Sequence, residues 1–218
     1  SSDRDDKASG TKQTYHYEEG IRAYLEKQLA AGKRKRIPAE TFHASRETDG
    51  VRMECALAWT EDPNEEIASF VNSIPTGDGG THENGLKSGM VKAVRNYLEI
   101  HNLIPRGLAI TADDVREGVV GILSCFMPEP QFQGQTKDRL NNPEVAAAVD
   151  SFTRSAVDNW LNGNPSSAEA ISDRGILAAR APDGAQFVVG QHSLPRRLCS
   201  RLACSGNRTD FRPPLSDR

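Results

Sequence analysis

No stretch of these 218 residues stays apolar for the roughly 18 residues that a membrane-spanning helix needs, so none is predicted. The amino terminus, SSDRDDKASGTK, is polar and lacks the apolar centre of a signal peptide. These two absences make a cytoplasmic setting the default expectation. Charge of one sign is also lacking. With a formal net charge of -3, the chain has no global field to draw nucleic acid, so any contact with DNA must come from a local patch. The four cysteines, Cys55, Cys125, Cys199 and Cys204, match no zinc-binding spacing. Cys55 and Cys125 read as small buried residues. His16, His43, His82, His101 and His192 are scattered without a second ligand at helical spacing, and no metal site is expected. There is no nucleophile elbow, no His-Glu-x-x-His, no GxGxxG and no Gly-Lys-Ser/Thr, which excludes the commonest hydrolase, metalloprotease and phosphate-cradle chemistries. The chain begins without Met, which suggests a piece of a longer protein.

What is present suits a globular domain. The 37% apolar content supports one good core, and the length allows one or two domains. Tyr17, Ile21, Tyr24, Leu25 and Leu29 recur at three- and four-residue steps and predict a helix that Gly32 ends. Phe42 to Ser45 reads as extended, and Glu47-Thr48-Asp49-Gly50 as a hairpin turn. Val51, Met53, Cys55, Leu57 and Trp59 alternate with Arg52, Glu54, Ala56 and Ala58, the pattern of a half-buried strand. Ile67 to Ile74 predicts the next strand of what reads as an antiparallel meander. Leu86, Met90, Val91, Val94, Tyr97 and Leu98 predict an amphipathic helix. Ala109 to Arg116 is polar, and the apolar run from Gly118 to Met127 predicts a central strand covered on both faces. Asn142-Pro143-Glu144 starts another helix, and Ser166 a further helical stretch. This order of elements indicates an α+β domain.

Three stretches invite a chemical reading. GDGGTH, residues 77–82, places glycines before a helix, as a phosphate cradle would. The plainer reading is a tight strand-to-helix connection, with Thr81 or Asp78 capping the helix and Glu83 at its positive end. The run Lys33-Arg34-Lys35-Arg36 reads as a solvated loop, with phosphate contact as the alternative. Asp113 and Asp114 are adjacent and read as turn or cap residues. In QFQGQTKDRLNNPEV, residues 131–145, Lys137 would supply a mobile point charge suited to a terminal phosphate, and Gln135 an amide able to bond a phosphate oxygen. A solvated loop lysine is the alternative.

FVNSIPTGDGGTHENGLKSGMVKAVRNYL followed by DDVREGVVGILSCFMPEPQFQGQTKDRLNNPEV resembles the B subunits of bacterial type IIA topoisomerases, DNA gyrase and topoisomerase IV. DGGTH, DDVREG and GQTK agree in order and spacing, and the match covers about residues 15 to 180; HYEEGIRAYLE is similar to the family's helix after its ATPase domain. The resemblance implies the transducer domain, a ribosomal-protein-like two-layer fold in which a mostly antiparallel sheet packs against helices. It implies a linker end over 1–14, the transducer over 15–165 and the start of an exit helix over 166–181. It implies that Lys137 senses the γ-phosphate of ATP, with Gln135 and Thr136 beside it, coupling ATP binding and hydrolysis to DNA gate closure and strand passage. Lys87, Lys92 and Arg95 become candidates for DNA-backbone contact; Lys92 and Arg95 share the helix face opposite the apolar stripe, and Lys87 lies nearer that stripe. ATP and Mg2+ would serve the full-length enzyme, with neither bound by this fragment alone. The implied partners are double-stranded DNA, the topoisomerase A subunit and a second B subunit.

Past ILAARA the family pattern stops. From Ser172 to Arg218 there are eight arginines and four aspartates but no lysine or glutamate. Residues 182–218 therefore read as an irregular tail, and the change of composition suggests a shifted reading frame after about Ala181. The competing function is a freestanding nucleic-acid-binding module of the same fold, supported by the basic run at 33–36 and the basic helix face.

Overall fold

The computed structural model describes residues 20–37, 40–48 and 50–180. The readings made for the amino-terminal residues before Gly20 and for the tail from 181 onward lie outside the described residues. Twelve elements follow in order: α1 (Gly20–Ala31), β1 (Phe42–Thr48), β2 (Val51–Trp59), β3 (Glu66–Val71), β4 (Ile74–Pro75), α2 (Thr81–Ile100), α3 (Ala112–Arg116), β5 (Val119–Phe126), β6 (Phe132–Gln133), β7 (Arg139–Leu140), α4 (Pro143–Gly163) and α5 (Pro165–Arg180). The α+β class holds.

The sheet differs from the expected meander. Its order is β1-β2-β5-β3-β4, so β5 lies between β2 and β3. β1 and β2 form the expected antiparallel hairpin, with Thr48 opposite Val51. β3, however, pairs with β5 in parallel, Glu66 with Val120 and Val71 with Cys125. Parallel neighbours need a long crossover, and α2 with α3 supplies it. Asn72 and Ser73 both have positive φ, so the strand read across Ile67–Ile74 breaks there into β3 and β4.

Alternation along β2 marks two different faces, yet the strand is not half-buried. Met53, Cys55, Leu57 and Trp59 enter the main core with Val119, Leu123 and Cys125 of β5, Leu86 and Met90 of α2, and Val149 and Phe152 of α4. Ala56 and Ala58 are buried too, beneath Leu25 and Leu29 of α1, with Val120 and Ile122. Helices thus cover both faces of the sheet centre, where two layers were expected. This is why β5 reads as a continuous apolar run. Cys55 and Cys125 are buried free thiols, and burial pushes Cys125 up to about 12 and Cys55 higher still, so both are inert.

α2 and α4 lie side by side and run in the same direction. Gly85 faces Ala146 and Val149, Gly89 faces Asp150 and Thr153, and Asn96 bonds Asp158. A Cβ at either glycine would come within 2.5 Å of a backbone oxygen of α4. The polar stretch before β5 contains the short helix α3, closed by a capping box: Asp114 N–H donates to Thr111 Oγ1 and Thr111 N–H donates to Asp114 Oδ2. Asp114 is therefore a cap residue, and Asp113, largely exposed beside it, pairs with Arg116. α5 adds Ala168 and Ile171 to the main core, and Arg174 bonds Glu117 at 2.8 Å. Among the described residues, no helix is long and apolar enough to cross a membrane.

Candidate functional site

Pro128 and Pro130 follow β5, and the chain then forms a hairpin of its own. β6 and β7 pair over two positions only, Phe132 with Leu140 and Gln133 with Arg139. The residues between them include Gln135, Thr136 and Lys137, all exposed. Gly134 turns the chain with φ 80°, and Lys137 itself sits at φ 60°. A left-handed lysine is unfavourable by about 1–2 kcal/mol, so the backbone there is held by its surroundings. The Lys137 ammonium lies 6.0 Å from the Phe132 ring centroid, which leans its stem along the hairpin without neutralising the charge.

The hairpin is fastened to the glycine loop that precedes α2. Asp78 N–H donates to Asp138 O at 2.9 Å, and Leu140 N–H donates to Gly79 O at 3.1 Å. Gly80 forms a parallel bridge with Leu140, and a Cβ at Gly80 would overlap the Leu140 backbone. Gly80 therefore serves close approach of two backbones, and Gly79, at φ 66°, turns the chain beside Glu83. The expected side-chain cap is absent: Gly80 is the N-cap of α2 and makes no side-chain bond, and Thr81 is already helical. Glu83 does lie in the first turn.

Beneath the loop is a buried polar cluster that sequence pattern alone did not reveal. His82 is fully buried, with Nε2 3.1 Å from Thr76 Oγ1 and Nδ1 without a partner. Burial pushes its pKa down to about 4, although the neighbouring Glu83 pulls the other way. The ring is neutral at physiological pH. Thr76 in turn meets Ser69 Oγ at 2.7 Å, and Ser69 donates to Glu83. These bonds join β3, the glycine loop and the start of α2.

The basic candidates are placed as follows. Lys87 is partly buried between Glu83 at 2.9 Å and Glu65 at 3.4 Å. Arg95 donates to Ile110 O at 2.8 Å. Lys92 is exposed and bonds Asp150 of α4 at 2.8 Å. Partial burial opposes ionisation of Asp150, but hydrogen bonds from Lys92 and Ser88 and the charges of Lys92 and Arg154 outweigh it and lower its pKa. The run at 33–36 is not a freely solvated loop. Arg34 pairs with Asp62 and Glu66, Lys35 with Glu61, and Arg36 with Glu26. Its charge is largely answered within the chain, which removes one support of the freestanding nucleic-acid module.

Asn142 was legible only as a helix start, and Asp138 not at all. Asn142 does occupy the N-cap of α4, but its side chain makes no cap bond. Its Oδ1 accepts from Gln131 N–H at 2.6 Å, and its Nδ2 donates to Glu129 O at 3.3 Å and Glu144 Oε1 at 2.7 Å. The only sequence signal was an asparagine before proline.

Comparison with known proteins agrees with the motifs. A family model described as DNA gyrase B matches residues 20–187. The B subunit of DNA topoisomerase 4 from Pseudomonas aeruginosa is 41% identical over 159 residues, covering 72% of this chain and 25% of that protein. The B subunit of DNA gyrase from Bacillus mycoides is 38% identical over 171 residues, covering 78% of this chain and 42% of that protein. This chain thus spans well under half the length of these curated relatives. Among solved structures, the 43K ATPase domain of Thermus thermophilus gyrase B in complex with an aminocoumarin superposes with a TM-score of 0.67 at 31% identity, covering 73% of this chain and 43% of that one. The topoisomerase IV ATP-binding domain of Francisella tularensis gives 0.65 at 32% identity, covering 77% and 44%.

Proposed function

The chain belongs to the DNA gyrase B family of type IIA topoisomerase B subunits, and from that premise we propose that it is the segment that links nucleotide state to movement of DNA. In this reading residues 15–165 are the transducer domain and 166–181 the start of its exit helix. The segment works within a complete ATP-dependent DNA topoisomerase, in the cytoplasm, with a second B subunit, the A subunit and double-stranded DNA as partners.

The observation that carries the reading is the exposed Lys137, held in a left-handed turn on a hairpin whose base is bonded to the backbone just before α2. An ammonium on a short hairpin can enter a phosphate site built elsewhere, and Gln135 and Thr136 add donors beside it. The glycine loop before α2, the stretch that could have read as a phosphate cradle, is taken up at Gly80 by the Leu140 backbone. In this reading ATP, with Mg2+, is bound by another part of the enzyme. Lys137 would stabilise the terminal phosphate, and its withdrawal after hydrolysis would release the hairpin.

For the DNA backbone, Lys92 is the best presented of the three candidates. Its side chain is half exposed beside Asp150, so a phosphate can reach and compete for the ammonium. Lys87 is itself only 26% exposed between two carboxylates, and Arg95 is tied to the Ile110 carbonyl.

The test is Lys137→Ala in a complete B subunit carrying this segment. ATP turnover should fall about a hundredfold, as expected for losing one preorganised charge contact to a reacting group. Thermal stability should change by less than about 0.5 kcal/mol, because the side chain is exposed. Undiminished turnover would remove Lys137 from the phosphate.

A further inference from the structure

An asparagine at the N-cap of a helix ordinarily turns its side chain onto the first-turn amides. Asn142 turns away from them. Its amide is buried, with 2% of the residue exposed, and faces the base of the hairpin. Oδ1 takes the Gln131 N–H, Nδ2 reaches Glu129 O, and the second amide hydrogen is directed at Glu144 Oε1. The adjacent Asn141 N–H donates to Gln131 O at 2.8 Å. One side chain therefore closes the two ends of the excursion that carries the Gln-Thr-Lys loop and fastens them to the first turn of α4.

We propose that Asn142 is a positioning residue for the Gln135–Lys137 loop, clamping the hairpin base to α4 so that the Lys137 ammonium is held in place; the functional part of this proposal rests on the phosphate-sensing reading of Lys137. Two paired positions are too few to hold a hairpin in water, so its orientation depends on anchors. The Gly79–Gly80 contacts with β7 form one anchor. The Asn142 amide forms the other, on the β6 side. The chemistry requires an amide: a neutral group that accepts from one backbone N–H and donates to a backbone carbonyl and a carboxylate. Aspartate or serine caps a helix as well as asparagine does, and neither can make this set of bonds. An aspartate would turn a carboxylate toward the Glu129 carbonyl and the Glu144 carboxylate, and a serine is too short to bridge the gap.

That difference supplies the experiment. Asn142→Ser and Asn142→Asp both leave at the N-cap a residue able to cap, and Asn142 itself makes no cap bond, so α4 should persist. Amide hydrogen exchange on this chain should show faster exchange at Asn141 in both variants, where the backbone bond to Gln131 O loosens, and at Gln131 in the serine variant, where the part-buried bond to Asn142 Oδ1 is lost, by about tenfold or more. Val149 and Phe152, inside α4, should keep their protection. Equal acceleration across α4 would make Asn142 a cap only, and no change at Asn141 or Gln131 would remove the clamp; either overturns the proposal. In a complete B subunit carrying the segment, Asn142→Ser should lower kcat for ATP hydrolysis with little change in KM, and should add no further loss to Lys137→Ala, because it acts through that residue. Additive losses would overturn the positioning role. A Lys137→Ala enzyme with unchanged kcat would instead sink the phosphate reading, while the exchange pattern would still decide whether the clamp exists.

Discussion

The helix pair α2/α4 and the hairpin β6/β7 adjoin at the glycine loop, and they are built on opposite terms. Along the helix pair, Gly85 and Gly89 let two backbones approach so closely that a single methyl group would strike Ala146 O or Asp150 O. Along the hairpin, three polar side chains stand in solvent above a ladder of two residue pairs. In the first region a side chain can be lost or gained only at the expense of packing. In the second, the side chains contribute little to stability and are available for contact with something else. The contrast separates stability from the proposed function, and the backbone bonds at Gly79 and Gly80 are where the two regions meet.

The strongest way to break the comparison is to give the helix pair the methyl groups it excludes. Alanine normally favours a helix over glycine by about 1 kcal/mol, so propensity alone predicts that Gly85→Ala/Gly89→Ala stabilises. Overlap with the α4 backbone should reverse the sign, with a net loss of about 4 kcal/mol in urea unfolding for the pair. A variant as stable as the parent would show that the helices are not locked together there.

Next in size is the histidine at the junction. His82 has a folded pKa of about 4, below its unfolded value of 6.5, so between those limits the unfolded state binds more protons. Stability is therefore fully present above pH 6.5 and is lost as pH falls toward 4. Complete protonation corresponds to about 3 kcal/mol, taking 1.36 kcal/mol per pKa unit. Unfolding free energies measured from pH 7 to 4.5 should decline, and His82→Asn should flatten most of that slope. A variant with the parent's slope would place the titration elsewhere.

The smallest effect is expected at the hairpin tip and carries the opposite sign. Lys137→Gly relieves a left-handed lysine and should raise stability by up to about 1 kcal/mol, while removing the ammonium on which the proposed activity depends. A loss of stability on this substitution would mean that the Lys137 side chain holds the hairpin together, which would erase the contrast between the two regions.

How much of this was readable in advance depended on the range of the interactions. The apolar stripe of α2, the alternation of β2 and the helix start at Pro143 are local signals, each contained in one element, and they were legible. The exposed GQTK loop was legible as a charged turn, and its motif context made it a candidate site. The second burial face of β2 was not, because Ala56 and Ala58 are small enough to pass for surface residues until Leu25 and Leu29 cover them. The basic run at 33–36 read as solvated because its partners, Glu26, Glu61, Asp62 and Glu66, come from α1, from the loop after β2 and from the start of β3.

The sequence by itself determined the α+β class, most of the elements, the lysine at the loop tip and the family, because periodicity, turn residues and motif spacing are properties of the chain read in order. Tertiary structure alone decided that β5 lies between β2 and β3, that Gly80 of GDGGTH admits the Leu140 backbone, and that Asn142 faces the hairpin instead of capping its helix. Those outcomes depend on which distant backbones approach one another. Glycine accepts a close neighbour without a steric cost, and an asparagine amide can bond whichever groups come within reach, so neither residue carries its partner in its own neighbourhood of the sequence.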